Sequence, residues 1–265
     1  MLLTDNDPFV CRWLGQLWPA AEVHHADIRA LAAADIVRHD WIHLFAGIGG
    51  WQLALEWAGV SGGRILTGSC PCQPFSSNGK RQGFSDERHL WPEMRRCIAV
   101  HEPAIVFGEQ VAGGPGLEWL ARVQGELEDD GFAVAAADLC AAGIGAPHQR
   151  QRIYWGAVWV GNPSRLMPSR PRPCGGTDGM AASAWAGQGR LPGGADVWGQ
   201  SIRADMDGTL RRVAPEIPLL VDGLSTKMGN NRIVAPALKG FGNAIVPVLA
   251  ARFVAHFVEA CHDKL

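Results

Sequence analysis

The sequence predicts an α/β fold: a doubly wound, mainly parallel sheet with a small irregular second lobe. Three observations predict it. Short apolar runs, each about one strand long, alternate with stretches whose apolar residues recur at helical spacing. Several of these runs end directly in glycine-containing turns, where a buried strand passes into a helix. The 265 residues are 47% hydrophobic and 19% charged, a globular composition long enough to bury a substantial core.

Residues 1–4 form a strand of minimal length. Asp5-Asn6-Asp7-Pro8 follows, with capping residue types ahead of a proline suited to a first helical turn. Phe9, Val10, Trp13, Leu14, Leu17 and Trp18 then recur at helical spacing until Pro19 stops the helix. Residues 21–25 make a second short strand, leading to Ala26-Asp27-Ile28 and an alanine-rich helical turn. Residues 41–45 are an apolar strand that runs into Ala46-Gly47-Ile48-Gly49-Gly50, and a helix opens at once behind it. Strand, glycine turn and helix together let a backbone approach a nucleotide-like ligand closely, with helix N–H groups facing it.

The next strand, residues 64–67, ends at Gly68 and is followed by Ser69-Cys70-Pro71-Cys72-Gln73-Pro74. Two prolines around Cys72 deny the backbone a helix and hold the thiol in a stiff turn. Ligands of open α/β sheets bind at the carboxyl ends of strands, so Cys72 is a candidate nucleophile. Residues 86–100 read as a helix. Residues 104–107 read as a buried strand, with Glu109 just past it at the ligand edge. Residues 116–130 are helical, and residues 132–139 and 152–160 are strands, with Pro147-His148-Gln149-Arg150-Gln151-Arg152 between and entering them.

From residue 161 to 212 the texture changes. These 52 residues hold ten glycines, five prolines and seven arginines against four aspartates and no glutamate. A mildly basic insertion is expected there, and a small lobe over residues 215–240. The domain reading is therefore a catalytic unit of residues 1–160 and 241–265 interrupted by a target-recognition region, residues 161–240. Gly242-Asn243-Ala244-Ile245-Val246-Pro247 opens a C-terminal helix whose apolar face, including Val248, Leu249, Phe253 and Phe257, is expected to pack on the sheet.

A net charge of −2 excludes a globally basic nucleic-acid binder but leaves a local basic face possible. The seven cysteines are irregularly spaced and offer no zinc pattern, so no metal is expected. Residues 1–10 carry two aspartates and no apolar core, unlike a signal peptide, and no stretch approaches 18 apolar residues. A cytoplasmic protein with reduced thiols and no membrane contact is expected.

Five stretches, in order, resemble the DNA cytosine-5 methyltransferases: Phe45-Ala46-Gly47-Ile48-Gly49-Gly50, Pro71-Cys72-Gln73, Glu109-Gln110-Val111, Gln149-Arg150-Gln151-Arg152 and Gly242-Asn243-Ala244-Ile245-Val246-Pro247. Gly79-Lys80 and Gly83-Phe84-Ser85-Asp86 extend the likeness, which covers about residues 41–160 and 239–250. The resemblance implies S-adenosylmethionine as methyl donor and a flipped-out cytosine of double-stranded DNA as acceptor, in a monomeric enzyme. It gives Cys72 as the nucleophile that adds to C6 and makes C5 enamine-like. Glu109 becomes the acid at N3, and Arg150 and Arg152 the cations that hold the base O2 and a nearby phosphate. Phe45, Gly47, Ile48 and Gly49 form the cofactor cradle, with Asn243 a further cofactor contact.

The chain departs from the family pattern at Gln110, where asparagine is usual, and at His148, where glutamine is usual. A larger departure is a gap. Only residues 59–67 separate the first glycine helix from Gly68, where two further cofactor strands normally lie. Thr4-Asp5-Asn6-Asp7-Pro8 resembles the missing ribose-acid segment and Ala26-Asp27-Ile28 the adenine segment, so the cofactor motifs are expected to be permuted to the front, with Asp5, Asp27 and Ile28 as cofactor residues. Other readings of the same residues are an RNA cytosine methyltransferase and a binding module without turnover. The pairing of Cys72 with Glu109 argues against the second, and Pro-Cys-Gln in place of a Pro-Pro-aromatic loop disfavours amino-group methylation.

Overall fold

Strand β1 (Leu2–Asp5) lies inside the sheet although it begins the chain, with Leu2, Leu3 and Thr4 all buried. The computed structural model describes residues 1–71, 90–144, 150–161, 165, 167–171, 202–204, 210–212 and 244–264. The strands that follow are β2 (Glu22–His25), β3 (Trp41–Leu44), β4 (Ile65–Gly68), β5 (Ile105–Val111), β6 (Phe132–Cys140) and β7 (Gln151–Trp159). They form one seven-stranded sheet in the order β2-β1-β3-β4-β5-β7-β6. The neighbours from β2 to β5 are parallel, whereas β7 runs antiparallel to both β5 and β6. A short antiparallel pair, β8 (Ile202–Ala204) and β9 (Leu210–Arg212), stands outside this sheet.

The sheet is therefore doubly wound and mainly parallel, as the alternation of elements predicts. Strand β3 sits between β1 and β4. Two boundaries differ in an informative way. Glu109 lies within β5 rather than past it, because the antiparallel partner β7 continues the ladder and pairs Glu109 with Tyr154. The helix expected over residues 86–100 runs instead from Trp91 to His101, and its first expected residues lie outside those described.

Helices cover both faces. Alternation along the strands sends Ile65, Ile105 and Phe107 to one face, under α3 (Gly50–Trp57) and the C-terminal helix α6 (Pro247–Lys264). It sends Ile42, Leu44, Leu66 and Val106 to the other, under α2 (Ala33–Val37), α4 (Trp91–His101) and α5 (Gly114–Asp129). Burial on both faces explains why these strands read as apolar runs rather than as an alternation. On the second face Trp91 meets Trp119 and Trp155 edge-on, at 5.7 and 6.2 Å between ring centroids. Helix α1 (Pro8–Leu17) packs Val10 and Leu14 on Leu3 and Ala46. Asp7 caps it, accepting from the N–H groups of Phe9 and Val10.

Polar groups are also sunk in this core, His43 among them. The His43 ring is fully buried, with Nδ1 2.8 Å from Thr67 Oγ1 and Nε2 3.0 Å from Gln52 Oε1, so it ties β3, β4 and α3 together. Burial pushes its pKa down to about 4, keeping it neutral.

Arg165 lies over the Trp159 ring at 3.6 Å and donates to the Pro103 carbonyl at 2.9 Å, at the edge of the sheet opposite the strands' carboxyl ends. Arg170 pairs with Asp263 at 2.9 Å.

Candidate active site

Five parallel strands deliver their carboxyl ends to one edge, and the antiparallel β7 brings its amino end there too. That edge collects Asp5, Phe45, Ser69, Glu109, Arg150 and Arg152 from positions far apart in sequence.

At its left side, Asp5 ends β1. Its Oδ1 accepts the N–H of Asp7 at 3.0 Å and its Oδ2 accepts the N–H of Gly47, also at 3.0 Å. The front of the chain is thereby fastened to the glycine turn. That turn needs its glycines: Gly47 and Gly49 have φ of +54° and +78°, and a Cβ on Gly49 would fall 2.2 Å from Trp18 Nε1. Phe45, just before them, also adopts a positive φ of 51°.

Beside the turn lies a solvent-open cleft lined by Thr4, Asp5, Asn6, Ala26, Asp27, Ile28, Phe45, Pro71 and Leu90. Four of the residues expected to hold a cofactor (Asp5, Asp27, Ile28 and Phe45) therefore share one wall system. Gly47, Ile48 and Gly49 form the adjoining turn and are not among the lining residues. Asp27 caps the short 3₁₀ turn Ile28–Ala30 and pairs with Arg29 at 3.1 Å, leaving its carboxylate half exposed at the cleft. Arg96 of α4 holds this wall from behind, donating to the carbonyls of Ile28 and Leu31 at 2.9 and 3.2 Å. Thr4, Asn6 and Leu90 were not foreseen. Asn6 and Thr4 flank Asp5 in the sequence, but nothing local marks Leu90.

The cleft's chemistry suits an adenosyl group. Two carboxylates offer acceptors for a ribose diol and an exocyclic amine, and Phe45, Ile28 and Leu90 offer apolar walls for a ring. The glycine turn lets a ligand approach the backbone.

On the right side, Glu109 is buried, and Arg152 Nε stands 2.8 Å from its Oε1. Oε1 has no aligned hydrogen bond of its own. Burial pushes the Glu109 carboxyl up, against the opposing pull of Arg152, Arg150 and a hydrogen bond from Ser69. A carboxyl so placed holds its proton to higher pH than a surface glutamate does. Arg150, half-buried and at φ +31°, donates to the carbonyl of Ala244, the residue after Asn243. Gln110 donates to the carbonyl of Cys70 at 3.4 Å, two residues before Cys72. Cys72 and Asn243 themselves, like His148 and Gln149, lie outside the described residues. Among the described residues no cluster could hold a metal ion, and no helix is long and apolar enough to cross a membrane.

Fold and edge together define an α/β chain with a carboxylate-lined cleft and a buried acid–arginine pair side by side. The segment of residues 63–168 matches the family described as C-5 cytosine-specific DNA methylase. Type II methyltransferase M.HhaI of Haemophilus parahaemolyticus is 29% identical over 157 residues, covering 43% of this chain and 47% of the relative. Type II methyltransferase M.MspI of Moraxella sp is 36% identical over 98 residues, covering 34% and 23% respectively. The chain thus spans less than half the length of these relatives. Among solved structures, Spodoptera frugiperda DNMT2 in a triple-mutant form overlaps at a TM-score of 0.42, with 18% identity, over 64% of this chain and 45% of that one.

Proposed function

We propose that this chain transfers a methyl group from S-adenosylmethionine to C5 of a cytosine in double-stranded DNA. The observation that carries the reading is the hydrogen bond from Gly47 to Asp5, which seats the permuted front segment beside the glycine turn and next to Pro71. Asp5 and Asp27 hold the cofactor's ribose and adenine amino group, Phe45 and Ile28 enclose the ring, and Asn243 contacts the remaining part. The cofactor, when bound, supplies an electrophilic methyl group.

The residues act on the base. The Cys72 thiolate forms a bond to C6, and the electron pair released moves toward N3. Glu109, whose carboxyl burial makes easier to protonate, hydrogen-bonds or protonates N3 and stabilises the adduct. Arg152 faces the same ring through O2, and its charge favours the developing negative charge. C5, now enamine-like, takes the methyl group. Loss of the C5 proton to a base then lets the C6–sulfur bond break and returns Cys72 as thiolate. The target base must leave the duplex to reach this edge. Residues 161–240 are assigned to target recognition by their place in the chain, interrupting it between β7 and the helix α6.

Incubating the full chain with methyl-tritiated S-adenosylmethionine and plasmid DNA tests the reading. Labelled 5-methylcytosine in the nucleoside digest supports it. Label in N4-methylcytosine or N6-methyladenine, or in RNA alone, contradicts it.

A further inference from the structure

The hydroxyl of Ser69 stands between two groups brought from different elements. Trp51 of α3 donates its indole N–H to Ser69 Oγ at 3.1 Å, and the parallel β4–β5 register, with Thr67 opposite Phe107, sets Ser69 beside Glu109 two residues further on, where its hydroxyl bears on the Glu109 carboxyl. An indole N–H only donates, so Ser69 is the acceptor in the first bond and its single proton is left for Glu109. We propose that Ser69, held by Trp51, is a positioning residue that fixes the rotor and ionisation of the Glu109 carboxyl. The proposal rests on the reading of Glu109 as the acid at N3.

The geometry leaves the pair little freedom. Trp51 is 4% exposed, stacked on Phe107 at 6.0 Å and set edge-on to Tyr154 at 6.2 Å, so its indole has no room to swing away. Phe107 lies two residues before Glu109 on the same strand, which anchors donor and carboxyl to one rigid element. With Arg152 Nε at Oε1, a second donor at the carboxyl leaves one orientation favoured over the flipped one. The other charged or titratable groups that bear on Glu109 among the described residues are Arg150 and Tyr154.

Carbon-13 NMR of the full chain, labelled at glutamate carboxyls, reads the Glu109 titration directly; Glu109→Gln identifies the resonance. A hydrogen bond donated to the charged carboxylate lowers its pKa, so Ser69→Ala should raise the midpoint by about one unit. Ser69→Thr, which keeps the hydroxyl, should restore it. Trp51→Phe should raise the midpoint by less, and should add nothing in the Ser69→Ala background. An unmoved midpoint in Ser69→Ala overturns the proposal, and so does a Trp51→Phe shift that persists in full without Ser69. The Ser69→Ala and Ser69→Thr pair decides the matter even where Trp51→Phe fails to fold. Because the readout needs no turnover, the predicted shift in a chain that methylates no DNA would sink the functional reading alone. Methylation with an unshifted midpoint would sink the positioning role alone.

Discussion

Asp5 and Gly47 are 42 residues apart in sequence and joined by a 3.0 Å hydrogen bond from the glycine N–H to the aspartate Oδ2. Asp7, two residues on, has a different task, since it caps α1. The two carboxylates therefore separate cleanly. Asp5→Ala should weaken S-adenosylmethionine binding by roughly ten- to a hundredfold, the worth of about 1.5–3 kcal/mol for a charged acceptor. Asp7→Ala should leave cofactor affinity nearly unchanged and cost about 1 kcal/mol of stability, or roughly 2–4 °C in Tm. Isothermal titration and a thermal melt distinguish these outcomes; equal cofactor binding by Asp5→Ala contradicts the assignment.

Gly49→Ala should be among the most damaging small substitutions. It places a side chain at φ +78°, costing about 1–2 kcal/mol in backbone strain, and drives its Cβ into the Trp18 indole. Gly15→Ala is the control, because nothing lies within 4 Å of a Cβ there. A melt showing equal stability for the two variants would contradict the packing of Trp18 against the turn.

Acid should unfold the protein through its buried histidines. His43 and His101 are both held neutral by burial, with pKa values near 4. An unfolded histidine titrates near 6.5, so above that pH both states are neutral and stability is full. As pH falls from about 6.5 toward 4 the unfolded chain takes up protons that the folded chain refuses, and stability drops by up to about 3 kcal/mol per histidine. Urea midpoints at pH 7.5, 6 and 5 should fall in that order, and His43→Gln should flatten the trend. A pH-independent midpoint contradicts it.

Arg165→Gln should leave the salt dependence of DNA binding unchanged, because the guanidinium sits on Trp159 at the edge away from Glu109. Its cost should appear as stability, roughly 0.5–2 kcal/mol for the lost cation–π contact. Arg152→Gln, at the site edge, should instead weaken catalysis. A salt slope reduced by about one unit in Arg165→Gln would place that residue on the DNA surface and contradict this expectation.

Much of this edge was legible in the sequence because ligand-edge motifs have fixed neighbours. The short gap at residues 59–67, read with Asp5 and Asp27, pointed to the front of the chain for two further strands of this edge, and β1 and β2 lie there. Glu109 was placed one step outside its strand because β5 extends only through pairing with β7, a partner more than 40 residues away. The arginine excess after residue 161 was visible in the sequence, but the stacking of Arg165 on Trp159 depends on where the chain turns after β7. The contacts of Ser69 with Trp51, of Gln110 with the Cys70 carbonyl, and of Arg96 with Ile28 and Leu31 carry no local pattern. They exist only once the sheet has aligned its strand ends.

Covalent capture tests the central claim most directly. DNA substituted with 5-fluorocytosine, incubated with the full chain and S-adenosylmethionine, should yield an adduct that survives denaturation, since fluorine at C5 cannot leave as a proton. Peptide mass spectrometry should place the DNA on Cys72, Cys72→Ser should abolish it, and Cys70→Ser should leave it intact. An adduct retained by Cys72→Ser and lost in Cys70→Ser would contradict the account.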